Sequence, residues 1–323
     1  MPPAMDASMV SDYKKALRLL KDNSPEQRLE IHWPRHMYLQ LRHAYSQQMA
    51  ETKVSDDKRY PYLSYNSLTE TVTVVTVPNS IHEVAVYELN TEIIASANAY
   101  LSEHAPGLLD YILPLGSTTT DDFHGDYVHS SKQPDGGITY NDDVMIAIEV
   151  GTSQSYKSLS DAKDMWINGH HVKVCVLVYV KELPRFKNPT TAYDIEDARA
   201  AMDTLYQSVD EQKQGYDSRG HYGPIVYREH KWAGTLDTGF IEIWRAGNSS
   251  PERYELIEAG VASPETPTTL GLRISDMVPD DVWEAAGIPD REIRFNGAWF
   301  VRKLMKAACK TAKARFYRFI TNN

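Results

Sequence analysis

Glu149 stands near the end of an apolar run, "MIAIEV" at 145–150, where a valine or an isoleucine would pack better. A carboxylate on a buried strand has to be paired, protonated or bound to a cation. Asp135 offers company: it follows Pro134 in "KQPDGG", and only a short turn separates it from the strand that carries Glu149. Two further Pro-Asp pairs, Pro279-Asp280 and Pro289-Asp290, do not lead into an apolar strand ending in an acid. If neighbouring strands bring Asp135 and Glu149 to about 4 Å, their repulsion costs roughly 1 kcal/mol in water and about 4 near a protein surface. A divalent cation reverses the sign of that term. Two hard oxygen ligands with open water positions suit Mg²⁺ or Mn²⁺.

Other chemistries are less well served. Ser153 and Ser155 have no Gly-x-Ser-x-Gly elbow around them, and "TSQS" reads as a helix N-cap. Asp121, Asp122, His124 and His129 crowd into "DDFHGDYVHSS", but their irregular spacing reads as a solvated loop, and His170-His171 as a turn before a strand. No phosphate-cradling glycine loop is present. The two cysteines, Cys175 and Cys309, form neither a disulfide framework nor a zinc knuckle, which points to a reduced, intracellular protein.

The elements that must position the acids are legible in part. A chain of 323 residues, 42% hydrophobic and 24% charged, can bury a sizeable core, and no run reaches membrane-spanning length. Residues 7–50 read as helical. "YLSYNSLTETVTVVTVP" reads as a hairpin, and "SIHEVAVYELNTEIIASANAYL" as a buried helix capped by Asn79 or Ser80. Strands follow at "DYILPLG", "KQPDGGITY" and "VMIAIEV", then a helix, "SQSYKSLSDAKDMWING", and the apolar strand "HVKVCVLVYV". Further strands are expected at "PIVYREHKWAG" and "TGFIEIWRAG", after a helix in "IEDARAAMDTLYQSVDEQKQ"; "SSPERYELIEAGVASPETPTT" reads as loop-rich. The order predicts an α/β (α+β) mixed sheet with helices on both faces. The expected division is a helical N-terminal extension at 1–59, a core at 60–250, and a loop-rich segment with a basic helix at 251–323.

With these blocks in place the chain resembles the PD-(D/E)XK nuclease superfamily, and more closely a group of fungal proteins with a restriction-endonuclease-like core. The resemblance rests on "SYNSLTETVTVVTVPNSIHE", "SKQPDGG", "IEVGTSQS" and "SDAKDMW", with "YREHKWAG" and "FIEIWRAG" further on. It covers roughly residues 60–250. It implies a restriction-endonuclease-like fold and metal-dependent hydrolysis of phosphodiester bonds in nucleic acid, with DNA ahead of RNA. Asp135 and Glu149 would hold the metal, supported by Glu83; His82 beside it would be a supporting group or a phosphate contact.

The pattern places a lysine two residues after the strand acid, where this chain has Gly151. Two nearby lysines separate by helical geometry: Lys157 shares the face of Ser160, Asp161 and Asp164, whereas Lys163 shares that of Leu159, Ala162, Trp166 and Ile167. Lys163 is therefore expected to reach back toward the acids, with Gln154 as a polar alternative that positions water or phosphate. The alternative to catalysis is an inactive nuclease-fold protein that binds nucleic acid or a protein partner. Net charge is −10, yet residues 293–323 hold eight cations and no acid, leaving −18 on the remainder. Arg302, Lys306, Lys310 and Lys313 form one stripe at helical spacing, a candidate phosphate-binding surface. The oligomeric state is open, a homodimer included.

Overall fold

The structure is a computed structural model, and it describes residues 7–21, 26–51, 61–115, 118–152, 154–189, 198–217 and 220–322. Ser153 lies outside the described residues.

The first unit is small and has its own core. Helix α1 (Ala7–Lys21) and helix α2 (Arg35–Glu51) pack over a three-stranded antiparallel sheet of β1 (Arg28–His32), β2 (Tyr62–Asn66) and β3 (Thr71–Val75), in the order β1-β3-β2. One face of this sheet carries Leu29, Ile31, Leu63, Tyr65, Val72 and Val74 and closes on Leu19, Leu20, Trp33, Met37 and Leu41 of the helical layer. The other face is polar, because the strands alternate with period two: its rungs are Arg28–Val75–Tyr62, Glu30–Thr73–Ser64 and His32–Thr71–Asn66. "RLEIH" is thus a strand, where the sequence reading expected helix across 7–50. Its alternation is too short to outweigh helical neighbours on paper, and pairing with β3 decides the matter. The N-terminal extension does not end at residue 59 but shares a sheet with the hairpin that follows it.

The acids belong to the larger unit. Helix α3 (Ser80–His104) leads to β4 (Ile112–Pro114), β5 (Gly136–Tyr140) and β6 (Asp143–Gly151), an antiparallel meander. Helix α4 (Tyr156–Asp164) runs on into a π-helical turn at Met165–His170 and returns the chain to β7 (Val174–Leu183), which pairs parallel to β6. After α5 (Ala198–Asp217) come β8 (Ile225–Tyr227) and β9 (His230–Ala233), a separate two-stranded sheet. The chain then adds β10 (Thr235–Arg245), β11 (Glu252–Glu258) and β12 (Val261–Ala262) to the main sheet, whose order is β12-β11-β10-β7-β6-β5-β4. The stretch read as loop-rich therefore supplies two strands. "ERYELIE" is half-exposed at a sheet margin, so its apolar signal is weak. A second two-stranded sheet, β13 (Thr269–Arg273) with β14 (Glu292–Arg294), flanks α6 (Asp280–Ala286), and α7 (Gly297–Asn322) follows.

The sheet is mixed and covered on both faces. α3 packs between β5 and β6 on one flank and α7 on the other, but it keeps an exposed stripe through Glu83, Tyr87, Thr91 and Ala95, so it is not buried all round as its apolar composition suggested. On β6 the residues Ile146, Ile148 and Val150 join this layer. The alternate residues Ala147, Glu149 and Gly151 face the layer of α4, where Leu159, Met165, Trp166 and Leu177 form a second cluster. Among the described residues no helix is long and apolar enough to cross a membrane.

Candidate active site

Asp135 sits where the chain enters β5 and is stitched to β6 from both ends. Its N–H donates to the Ile148 carbonyl at 3.1 Å, and its Oδ2 accepts from the Val150 N–H at 2.8 Å. Its other oxygen, Oδ1, meets His82 Nε2 at 3.1 Å. His82 is placed by the first turn of α3, where Asn79 caps the helix by accepting from the His82 N–H at 3.0 Å. The helix comes this close to the strand because Gly136 follows the acid: a Cβ there would lie 2.8 Å from Val86 Cγ1 and 2.9 Å from Asn90 Nδ2. Burial alone would push the His82 imidazole toward neutrality, but the Asp135 charge and hydrogen bond outweigh it and raise its pKa to about 9. Burial likewise opposes ionisation of Asp135, yet His82, Lys132 and the Val150 N–H hold it down at about 2. The pair is an ion pair at neutral pH.

Glu149 looks the other way, into the α4 layer, and is 3% exposed. Its Oε1 accepts from Trp166 Nε1 at 2.6 Å, and its Oε2 lies 3.0 Å from Lys132 Nζ. Trp166 belongs to the π-helical turn, whose widened geometry is a common mark of functional sites. Lys132 comes from the segment just before Asp135 and is itself 4% exposed. Burial raises the Glu149 pKa and the Asp135 charge adds to it, against the opposing pull of Lys132 and Trp166. The two acids therefore feel each other, and the Lys132 charge also lowers Asp135. Their hydrogen-bond partners nonetheless lie in opposite layers, His82 of α3 for one and Trp166 for the other.

Lys132 thus occupies the place for which Lys163 was expected. Lys163 does lie on the buried face of α4, at 8% exposure. Its ammonium, however, bonds the neighbouring Asp164 and rests 4.2 Å over the Trp244 ring, so the face was read correctly and the partner was not. Lys157 is solvent-facing and pairs with Asp161 at 2.7 Å. At Gly151 a Cβ would meet Gln154 Cγ and Leu159 Cδ2, both at 3.2 Å, so any side chain there would have to push these two aside by a few tenths of an ångström. Gln154 is buried and lines a small cavity with His82 and Asp135.

Glu83 meets His82 Nδ1 at 3.2 Å, and its side chain is 46% exposed. His82 stands between Glu83 and Asp135. Among the described residues no three acids, histidines or cysteines converge as a metal-holding set. The sequence reading also missed Glu242 on β10, a buried acid in register with Leu177 and hence with Glu149 two strands away. Its oxygens are met by Tyr156, Trp244 and Arg253, and the Tyr156 hydroxyl is pushed up to about 12, by burial first and then by Glu242.

On α7, Arg302, Lys306 and Lys310 are exposed as expected, with Trp299 and Tyr317 exposed beside them. Lys313 instead pairs with Asp210 at 2.9 Å and covers the Tyr206 ring. Two other cations of the basic segment are structural. Arg315, 4% exposed, binds Glu26 and Glu182, and Arg318 reaches Glu26 at 2.8 Å. These pairs clasp the small N-terminal unit to the main sheet. No family model, curated protein or solved structure matches the chain.

Proposed function

We propose that the chain is a metal-dependent nuclease-like protein that hydrolyses phosphodiester bonds of nucleic acid, on a restriction-endonuclease-like core. The observation that carries this reading is the buried ion pair of Lys132 with Glu149, set beside Asp135 where β5 and β6 begin and end. An acid on a strand, a second acid at the entry of its neighbour and a lysine on the first acid make up the chemical set that the resemblance implied. The order helix, three-stranded meander, helix, parallel strand across α3 to β7 agrees with it. A buried carboxylate with a raised pKa beside a depressed one also marks a candidate site in its own right.

The donors fit a hard cation. Asp135 and Glu149 offer hard carboxylate oxygens, and one or two carboxylates plus water is an ordinary Mg²⁺ or Mn²⁺ environment. Asp135 and Glu149 would hold the metal, which when bound supplies a water of lowered pKa and charge stabilisation at phosphate. Lys132 keeps Glu149 oriented and offsets its charge; His82 does the same for Asp135. The exposed cations of α7, Arg302, Lys306 and Lys310, would contact phosphates at a distance from the acids.

The cations already paired with both acids, His82 with Asp135 and Lys132 with Glu149, favour a second reading, a binding protein that has lost the reaction. Cleavage of plasmid and RNA with Mg²⁺ or Mn²⁺ separates the two. The nuclease reading requires cleavage that Asp135→Asn and Glu149→Gln each abolish in folded protein; binding with no cleavage by the unaltered chain would leave the second reading.

A further inference from the structure

The polar face of the three-stranded sheet is directed inward. Ser64, Asn66 and Thr73 are each less than 9% exposed. They line a groove of about 200 Å³ whose opposite wall is the start of α4, with Ser155, Ser158 and Lys132. Burying a polar sheet face against a void is costly unless water or a ligand completes its hydrogen bonds. Among the described residues no side chain bonds the hydroxyls of Ser64 and Thr73. A second, narrower cavity of about 40 Å³ continues beneath the same sheet on the other side of Arg28, and Asp135, His82 and Gln154 line it. One cavity ends on Asp135 and the other on Lys132, the lysine that holds Glu149.

Arg28 joins the two spaces and marks the path between them. Its guanidinium bonds Glu30 at 2.8 Å and the Ser158 hydroxyl at 3.0 Å, and Ser158 donates to Glu30 at 2.5 Å. This bridge ties the sheet to α4 through an arginine that a phosphate can take over, since guanidinium binds phosphate and carboxylate alike. Beside Arg28, Lys132 and Lys157 the walls carry hydroxyls and amides, which suit sugar and phosphate oxygens, together with the acids Glu26, Glu30 and Asp161; the rings lining the two spaces are Tyr62 and His82. A groove of about 200 Å³ between a sheet and a helix is far too small for a duplex, so only a single strand could enter it.

We propose that the polar face of β1, β3 and β2 forms, with α4, a channel for the sugar–phosphate backbone of a single nucleic-acid strand, and that the strand passes Arg28 to bring one phosphodiester between Asp135 and Lys132. The channel gives the proposed nuclease its substrate class and rests on that reading for the meaning of its destination.

Binding measured without metal, in EDTA, tests the channel apart from the reaction. The probes are a fluorescently labelled single-stranded oligonucleotide and the same strand in a duplex, followed by anisotropy. The single strand is expected to bind at least tenfold more tightly, and Thr73→Trp, which fills the groove from the sheet, to weaken it tenfold or more with the fold intact by circular dichroism. Equal or tighter binding of the duplex, or unchanged binding by folded Thr73→Trp, overturns the channel. Should Thr73→Trp not fold, a bromouracil-substituted strand cross-linked to the unaltered protein decides: adducts in 62–73 or 155–158 support the channel, and adducts confined to α7 refute it. Groove-dependent binding without cleavage removes the nuclease reading and keeps the channel. Metal-dependent cleavage with duplex and single strand bound alike does the opposite.

Discussion

Removing the ammonium of Lys132 probes the candidate site without touching either acid. At 3.0 Å from Glu149, the pair has a Coulomb energy of about 5.5 kcal/mol at an effective dielectric near 20. Lys132→Met keeps most of the buried stem and deletes the charge, so Glu149 is left with Trp166 alone. Its carboxyl, already pushed up by burial and by Asp135, is pushed up further once the ammonium is gone, which limits the loss. Breaking one side of a buried pair costs about 3–5 kcal/mol in general, and the same range is expected here. Thermal unfolding should shift down by roughly 6–10 °C, at about 2 °C per kcal/mol for a chain of this order. The double variant Lys132→Met/Glu149→Gln, with no charge left to bury, should recover most of the loss. Chemical denaturation of the four proteins gives the coupling energy directly. A single-variant loss under about 1 kcal/mol, or a coupling near zero, would refute the claim that Lys132 sustains Glu149.

Three further outcomes are expected. The His82–Asp135 pair contributes stability in full only between the unfolded values of its members, about 3.9 for Asp and 6.5 for His. It is lost as pH falls from there toward 2 through the depressed Asp135, or rises toward 9 through the elevated His82. His82→Gln should therefore flatten the alkaline limb of a stability–pH curve, and an unchanged limb from pH 7 to 9 would disprove the pairing. Mn²⁺ should raise the unfolding temperature of the unaltered protein, as binding to the folded state alone does, and leave Asp135→Asn/Glu149→Gln unmoved; an equal rise in both would place the ion elsewhere. Lys306→Gln/Lys310→Gln should weaken single-strand binding whatever the sequence. It should also reduce the slope of log K against log salt by up to about 1.4, at roughly 0.7 per lost contact, and an unchanged slope assigns these two exposed lysines to solubility.

What the sequence discloses about this site depends on how local each signal is. Glu149 is conspicuous because a single strand, read alone, already says that its position is buried. Asp135 is visible through the turn that follows it. Lys132 lies in "SKQPD", outside any periodic segment, and its burial arises only when the preceding segment folds across β6; the residue type was on view, its destination was not. Lys163 illustrates the converse: the 3.6-residue period sorts faces of a helix reliably, but it cannot say that Asp164 and Trp244 wait on that face. The strand β1 was lost among helices because five residues carry little weight against long flanking runs. The α7 stripe was right in its period, while the removal of Lys313 to Asp210 came from a helix more than ninety residues away, beyond any window.

The clasp of Arg315 on Glu26 closes across 289 residues, and this sets an order of events in synthesis. At about 5–20 residues per second, Glu26 leaves the ribosome roughly 15–60 s before its arginine exists. Through that interval the small sheet can complete its own apolar core, since α1, α2 and the hairpin are local to it. Its polar face, however, waits about half of that interval for α4 and all of it for the clasp. Every residue that lines the groove has thus been made well before the arginine that fixes the small sheet against the main one.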